Sequence, residues 1–294
     1  MLTNAEDNIN NKFNQFIFYG KDKLHRIGTD EDNYGLLLGQ GFGRKIEFCS
    51  ELGNRQGENL LIVGKDEKMA MSLFEFSAMS LLYDELFTDN DKTNTLMYIT
   101  NLSDVELRDE IADFNYLHEV LSDNVSIVNV DALTGFIDHI YQCVMDRKEG
   151  TDNSTERVFL LLFGINRAKK LVNNSIYDSE NQDLNSVEKL LAILRYGPEV
   201  GINSIMWGES LANLKRVFGN GIDGYFDKRI AFTLPKDEMY ELVSEDEPES
   251  MNNGTAVYMN IATDIKNKHF RPFIIPSKVW IDEFSDVYVT MTGE

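Results

Sequence analysis

ENLLIVGKDEKMAMSLFEF, residues 58–76, sets an apolar run, a glycine and a helical segment in immediate succession. The run NLLIV (59–63) has no polar alternation, which predicts a strand covered on both faces, as in a parallel sheet flanked by helices. After Gly64 the pattern changes to that of an amphipathic helix reaching about residue 87. A strand, a tight turn and a helix N-terminus form the setting of a phosphate loop. There, glycines let successive backbone N–H groups face an anion, a lysine reaches the β- and γ-phosphates, and a Ser or Thr holds Mg²⁺.

The same rhythm continues downstream. Strands are predicted at 96–99, 125–130, 158–163, 202–207 and 229–234, with helices near 108–121, 132–147, 183–196 and 209–218, and a short helix after 234. Further strands follow near 255–260 and 270–275. The polar loop KEGTDNSTE separates the two halves, and the acidic stretch EDEPES (245–250) reads as a solvated loop. Upstream, Ile9, Phe13, Phe16 and Ile17 share one helical face, and YGLLLGQGFGRKIEF (34–48) reads as a glycine-rich hairpin. The expected class is α/β, with a mainly parallel central sheet, helices on both faces and a small N-terminal extension over residues 1–57 ahead of a domain at 58–294.

Composition narrows the function. With 294 residues, 43% of them hydrophobic, the chain can bury a large core without a metal or disulfide staple. Cys49 and Cys143 show no metal-ligand spacing and suit a reducing cytoplasm. The formal charge of −21 repels a phosphate backbone, so direct DNA binding by this chain alone is disfavoured. The longest apolar runs, such as VFLLLF, are too short to span a bilayer, so no membrane contact is expected within the chain.

Several short motifs carry less than they suggest. LGQGFGRKIEF resembles a kinase glycine-rich loop, but no VAIK-like lysine, HRD or DFG follows, and a turn between strands accounts for it. WGESLA (207–212) follows a strand and precedes a helix, where Ser210 could serve as a hydrolase nucleophile with His269 and Asp223 or Asp237. Its fifth position is Ala212 in place of glycine, and Ser210 as a helix N-cap explains the same residue. His25, His118, His139 and His269 are scattered with no paired-ligand spacing, and no metal is expected.

Five landmarks in order resemble the FtsK/SpoIIIE family, from about residue 36 almost to the C-terminus. LGQGFGRKIEFCSELGNRQGENLLIVG is similar to the family's approach to its phosphate loop, and VMDRKEG (144–150) to its "EMERR" helix end. VFLLLFGINRAKKL stands where the strand carrying the Walker B acid belongs. LLAILRYGPEVGINSIMWGES resembles "RxGRAxGIHLILATQ", and IDGYFDKRIAFTLPKDEMYELV resembles "IxxNxxxRIAFxVxSxxDSRxIL". The closing TAVYMNIATDIKNKHFRPFIIPSKVWID parallels the family's last strands and final helix.

The resemblance implies a RecA-like P-loop NTPase fold whose ATP site has lost its defining residues. Placing GxxGxGK[ST] on Gly64 onward gives Glu67 and Met69 at the later glycines, Ala70 at the lysine and Met71 at the Mg²⁺ hydroxyl. Lys65 and Lys68 lie nearby, while Asp66 and Glu67 would repel a triphosphate. Gly164 stands at the Walker B position, and Gly208 with Glu209 replaces the sensor pair. Arg229 matches the family's arginine, which the resemblance places at a subunit interface.

The expectation is therefore a pseudo-ATPase with no catalytic residue of its own. ATP and Mg²⁺ would bind only if the altered site still holds them. The implied partners are sister motor domains or subunits in a ring or tandem, and a protein or peptide ligand. The implied setting is a multi-domain cytoplasmic translocase, of the DNA-moving or type VII secretion kind, that is anchored to a membrane elsewhere. The alternatives are an active ATP-dependent DNA translocase subunit, a docking module for a secretion substrate, and a serine hydrolase using Ser210.

Overall fold

The computed structural model describes residues 3–21, 24–30, 32–42, 47–88, 95–169, 171, 184–247 and 254–293. Residues 43–46 of the glycine-rich turn and 248–250 of the acidic stretch lie outside the described residues. Ten strands form one sheet: β1 (Tyr34–Gly41), β2 (Glu47–Leu52), β3 (Leu60–Gly64), β4 (Thr95–Asn101), β5 (Val125–Val128), β6 (Arg157–Phe163), β7 (Ile202–Gly208), β8 (Lys228–Phe232), β9 (Ala256–Asn260) and β10 (Ile265–Pro272). Their spatial order is β2-β1-β10-β9-β8-β3-β7-β6-β4-β5. The six strands from β8 to β5 run parallel, and the four at the other side join antiparallel.

The apolar runs are strands because both sheet faces are covered. Leu60 and Ile62 of β3 belong to one core, and Leu61 and Val63 to the other. The first core is closed by α1 (Lys12–Tyr19), α2 (Glu67–Glu85), α3 (Phe114–Val120) and α8 (Lys278–Thr292). The second is closed by α4 (Leu133–Glu149), α5 (Ser186–Tyr196), α6 (Leu211–Phe218) and α7 (Lys236–Val243).

Two expectations change. Helix α2 is not amphipathic: every residue from Met69 to Asp84 is buried, because the extension, α3 and α8 share its face of the sheet. A helix enclosed on all sides shows no polar stripe. The helix expected near 108–121 begins only at Phe114, where the Asp113 carboxylate accepts from the Tyr116 N–H at 2.8 Å and caps it.

The N-terminal helix and hairpin are built into the same body. β1 pairs with β10, and polar side chains of α2 hold the extension. The buried Asp84 carboxylate accepts from Gly28 N at 2.8 Å and Gly35 N at 2.7 Å, and Ser80 Oγ accepts from Leu37 N at 2.9 Å. Gly39 permits the close approach of β1 to β10, since a Cβ there would lie 2.2 Å from the Arg271 carbonyl oxygen.

Candidate functional site

Strand β3 lies between β7 and β8, and the chain leaves it through α2 toward β4, on the β7 side. The carboxyl end of β3 is thus a topological switch point, where open α/β sheets hold their ligands. The loops after β3, β4, β6 and β7 converge there.

Only Lys65 and Asp66 separate the end of β3 from the start of α2. Asp66 caps the helix itself, its carboxylate accepting from the Met69 N–H at 3.0 Å. Lys65 and Lys68 are exposed, whereas Met69, Ala70 and Met71 are buried in the core. Gly64 is explained by packing: a Cβ there would meet the Phe232 carbonyl oxygen of β8 at 2.2 Å.

The centre of the site is Arg167, on the 3-10 turn Ile165–Arg167 that follows β6. Gly164 starts this turn at φ 68°, in the left-handed region open to glycine. The turn brings the guanidinium back over the sheet edge. Its terminal nitrogens donate to both oxygens of Glu67, at 3.1 and 2.8 Å, and its Nε donates to Glu209 at 2.7 Å. A second bond to Glu209, one to the Leu102 carbonyl at 2.8 Å and an ion pair with Asp104 at 3.4 Å complete the set.

The guanidinium lies 5.1 Å from the centre of the Trp207 ring. That indole is fully buried, stacks on Phe163 at 4.5 Å and donates to the Gly64 carbonyl at 3.1 Å. Arg167 and Trp207 therefore tie the ends of β3, β6 and β7 together.

The electrostatics follow from this geometry. Burial acts to raise the Glu67 carboxyl, but Arg167, the Asp104 N–H and Ser103 outweigh it and hold it below its ordinary value. Burial likewise acts to lower Arg167, and its bonds to Glu67 and Glu209 outweigh that effect and raise it. Both groups keep their charge at neutral pH.

Arg229 sits away from this cluster, near the start of β8. It is 6% exposed and donates to the carbonyls of Phe226, Leu242 and Asp223, with an ion pair to Asp223 at 3.2 Å. Ser210 Oγ accepts from the Asn213 N–H at 3.2 Å and caps α6, while His269 bonds Glu245 at 2.7 Å. Each of these two has its own separate partner, as the N-cap reading of Ser210 expects. Sequence reasoning names Glu67 and Glu209 but not Arg167, which the structure shows bonded to both. Its one local signal is an arginine three residues beyond an apolar strand and its glycine.

Comparison with solved structures settles the architecture. The pCW3 conjugation coupling protein TcpA, in its monomer form with ATPγS, matches with a TM-score of 0.56 and 14% identity, over 87% of this chain and 72% of that one. The cytoplasmic domain of the type VII secretion ATPase EccC from Thermomonospora curvata matches at 0.57 and 13%, over 90% of this chain. The fold is that of FtsK/SpoIIIE-type ATPases. ATPases 2 and 3 of the same EccC, in complex with a signal sequence peptide, match at 0.56 and 11%, over 92% of this chain. The chain spans 32% of the EccC cytoplasmic domain and 48% of the two-ATPase structure, so it corresponds to part of those proteins. No protein-family model and no curated protein matches the sequence. No described helix is long and apolar enough to cross a membrane.

Proposed function

We propose that this chain is a motor-fold domain that does not hydrolyse ATP and acts through its surfaces, beside sister ATPase domains of a larger cytoplasmic assembly. The observation that carries this reading is the placement of Arg167 among Glu67, Glu209 and Asp104, at the edge where the fold would hold phosphates.

ATP and Mg²⁺ do not fit the residues present. The N-terminus of α2 is capped by Asp66 and followed by Glu67, so its partial positive charge is met by the chain's own carboxylates. A two-residue link is too short to wrap a phosphate, and Ala70 and Met71 supply neither a cation nor a Mg²⁺ ligand. Phosphoryl transfer rests on positioned positive charge, and loss of a single arginine finger costs about 10³–10⁵ in rate. No step of hydrolysis can be assigned to these side chains.

Titration of the purified chain with a fluorescent ATP analogue and Mg²⁺, together with a phosphate-release assay, tests the proposal. We expect no saturation at this edge and no turnover. Micromolar affinity with turnover would overturn it and restore the active translocase reading.

A second reading is supported by the exposed carboxylates of Asp66 and Asp104 on the rim: docking of a basic segment of a partner or secretion substrate. The peptide-bound EccC structure makes a signal sequence the first ligand to try.

A further inference from the structure

The opposite edge of the sheet holds a cavity of about 770 Å³ that the motor-fold reading does not use. It opens where the first residue of β6, Arg157, meets Gly201 ahead of β7, His25, Arg26, Asp32 and Tyr34 of the extension, and Phe87 and Thr88 just beyond α2. The volume lies in the range of small-molecule sites, about 300–1,000 Å³.

Arg157 forms its floor. The residue is 8% exposed, and its guanidinium lies against the rings of Tyr34 and Phe159, at 5.0 and 5.8 Å. Among the described residues its terminal nitrogens donate only to neutral amide oxygens, those of Asn54 and of Asn203, the latter at 2.9 Å, and its Nε–H has no acceptor. Among the described residues no carboxylate is in ion-pair contact with it. Burial accordingly lowers its pKa, with Tyr34 and then Asp32 opposing. Buried charges are ordinarily paired, and one left unpaired is costly.

A second cation, Arg26, lines the same cavity and donates to the Asn33 carbonyl at 2.5 Å. Arg26 is 3.9 Å from Asp84, and that carboxylate already accepts the N–H groups of Ile27, Gly28 and Gly35. The cavity's own carboxylates lie shallower: Asp32 and Glu199 are exposed and Glu156 is half-buried. Water screens these rim charges far more than it screens Arg157. The lining therefore separates by depth, with a donor-rich cationic floor beneath a water-screened acidic rim.

We propose that this cavity binds the oxyanion head of a small molecule, a carboxylate or a phosphate, on Arg157 with Arg26 beside it. A ligand with a neutral or cationic remainder fits best, since that part would meet the acidic rim. Such a head group would supply Arg157 with the counter-charge its own chain withholds. Arginine suits the role because its planar fork holds an oxyanion by two bonds at once.

The test titrates the whole chain with inorganic phosphate and, separately, with succinate, at constant ionic strength set by sodium chloride. Arginine Nε–H NMR signals and the thermal midpoint are followed. At least one anion should shift the Arg157 signal saturably and raise the midpoint beyond the chloride control, and the stronger arm identifies the head group. Arg157→Lys, which keeps the charge and loses the fork, should weaken binding about tenfold or more, the worth of one charge-assisted hydrogen bond. Arg26→Gln, at a more open position, should weaken it less. Absence of any saturable response to both anions in the unmodified chain would overturn the proposal. So would equal affinity in Arg157→Lys and the unmodified chain.

Discussion

The two edges of the parallel sheet handle charge in opposite ways. At the carboxyl edge, Arg167, Glu67, Glu209 and Asp104 are partly open to water and pair directly with one another. At the amino edge the polar groups are buried and held by amides. Asn59 Nδ2 donates to the Leu194 and Tyr225 carbonyls, Asn203 Nδ2 donates to the Gly53 and Glu58 carbonyls, and Asn203 Oδ1 receives Arg157. A salt bridge between Glu58 and Lys228, 6% and 3% exposed, joins the starts of β3 and β8. Water has already weakened what the carboxyl edge would lose on mutation, whereas the buried amides and ion pair of the amino edge have no solvent to fall back on. Stability should therefore be concentrated at the amino edge, and the edge where the fold places function should tolerate change.

The sharpest way to break this contrast is Lys228→Met. Removing one partner of a buried pair leaves the Glu58 carboxylate with only Gly53 N and the exposed Arg55, a loss of about 3–5 kcal/mol. Urea unfolding should show a lower midpoint with an unchanged slope. A loss under 1 kcal/mol would mean the amino edge is wetter than its burial implies.

Gly64→Ala comes next, at about 1–3 kcal/mol, because the added methyl must displace both the Phe232 carbonyl of β8 and the buried Phe232 ring. The result separates two uses of one glycine. If Gly64 served only a phosphate loop, alanine would leave unfolding unchanged; if it serves strand packing, the midpoint falls with or without nucleotide present.

The sheet was legible because its strands are buried on both faces, so NLLIV, VFLLLF and INSIMW announce themselves without partners. The integration of the extension was not, since β1 pairs with β10 from the far end of the chain and no local pattern records that pairing. The site divided in the same way. Gly64, Asp66 and Glu67 follow the strand directly and could be placed by counting. Arg167 meets Glu67 across 100 residues and Glu209 across 42, and its identity as the centre of the cluster depends on a turn set by Gly164. For Arg229 the motif match implies a role at a subunit interface, and what no local pattern records is that the side chain is buried and bonded to Phe226, Leu242 and Asp223 of its own chain.

The smallest effect tests the carboxyl edge itself. Arg167→Gln removes the ion pairs but keeps a polar side chain, and the partial exposure of the cluster limits the loss to about 1–2 kcal/mol. The Glu67 carboxyl is held below its ordinary value of 4.5 in the folded chain. Between the folded and unfolded values the unfolded chain binds more protons, so the stabilisation is fully present above 4.5 and is lost as pH falls through the folded value. The gap between unmodified chain and Arg167→Gln should therefore be constant near neutral pH and narrow on acidification. With Trp280→Phe in both chains, Trp207 fluorescence reports the cluster alone, since the indole lies beneath the guanidinium and donates to Gly64. Arg167→Gln should make that indole easier to quench without conferring ATP binding, because Asp66, Glu67, Asp104 and Glu209 would then face the site with no guanidinium between them. A gain of ATP affinity in this variant would show that Arg167 occludes a competent site, and the difference between the two edges would become one of regulation.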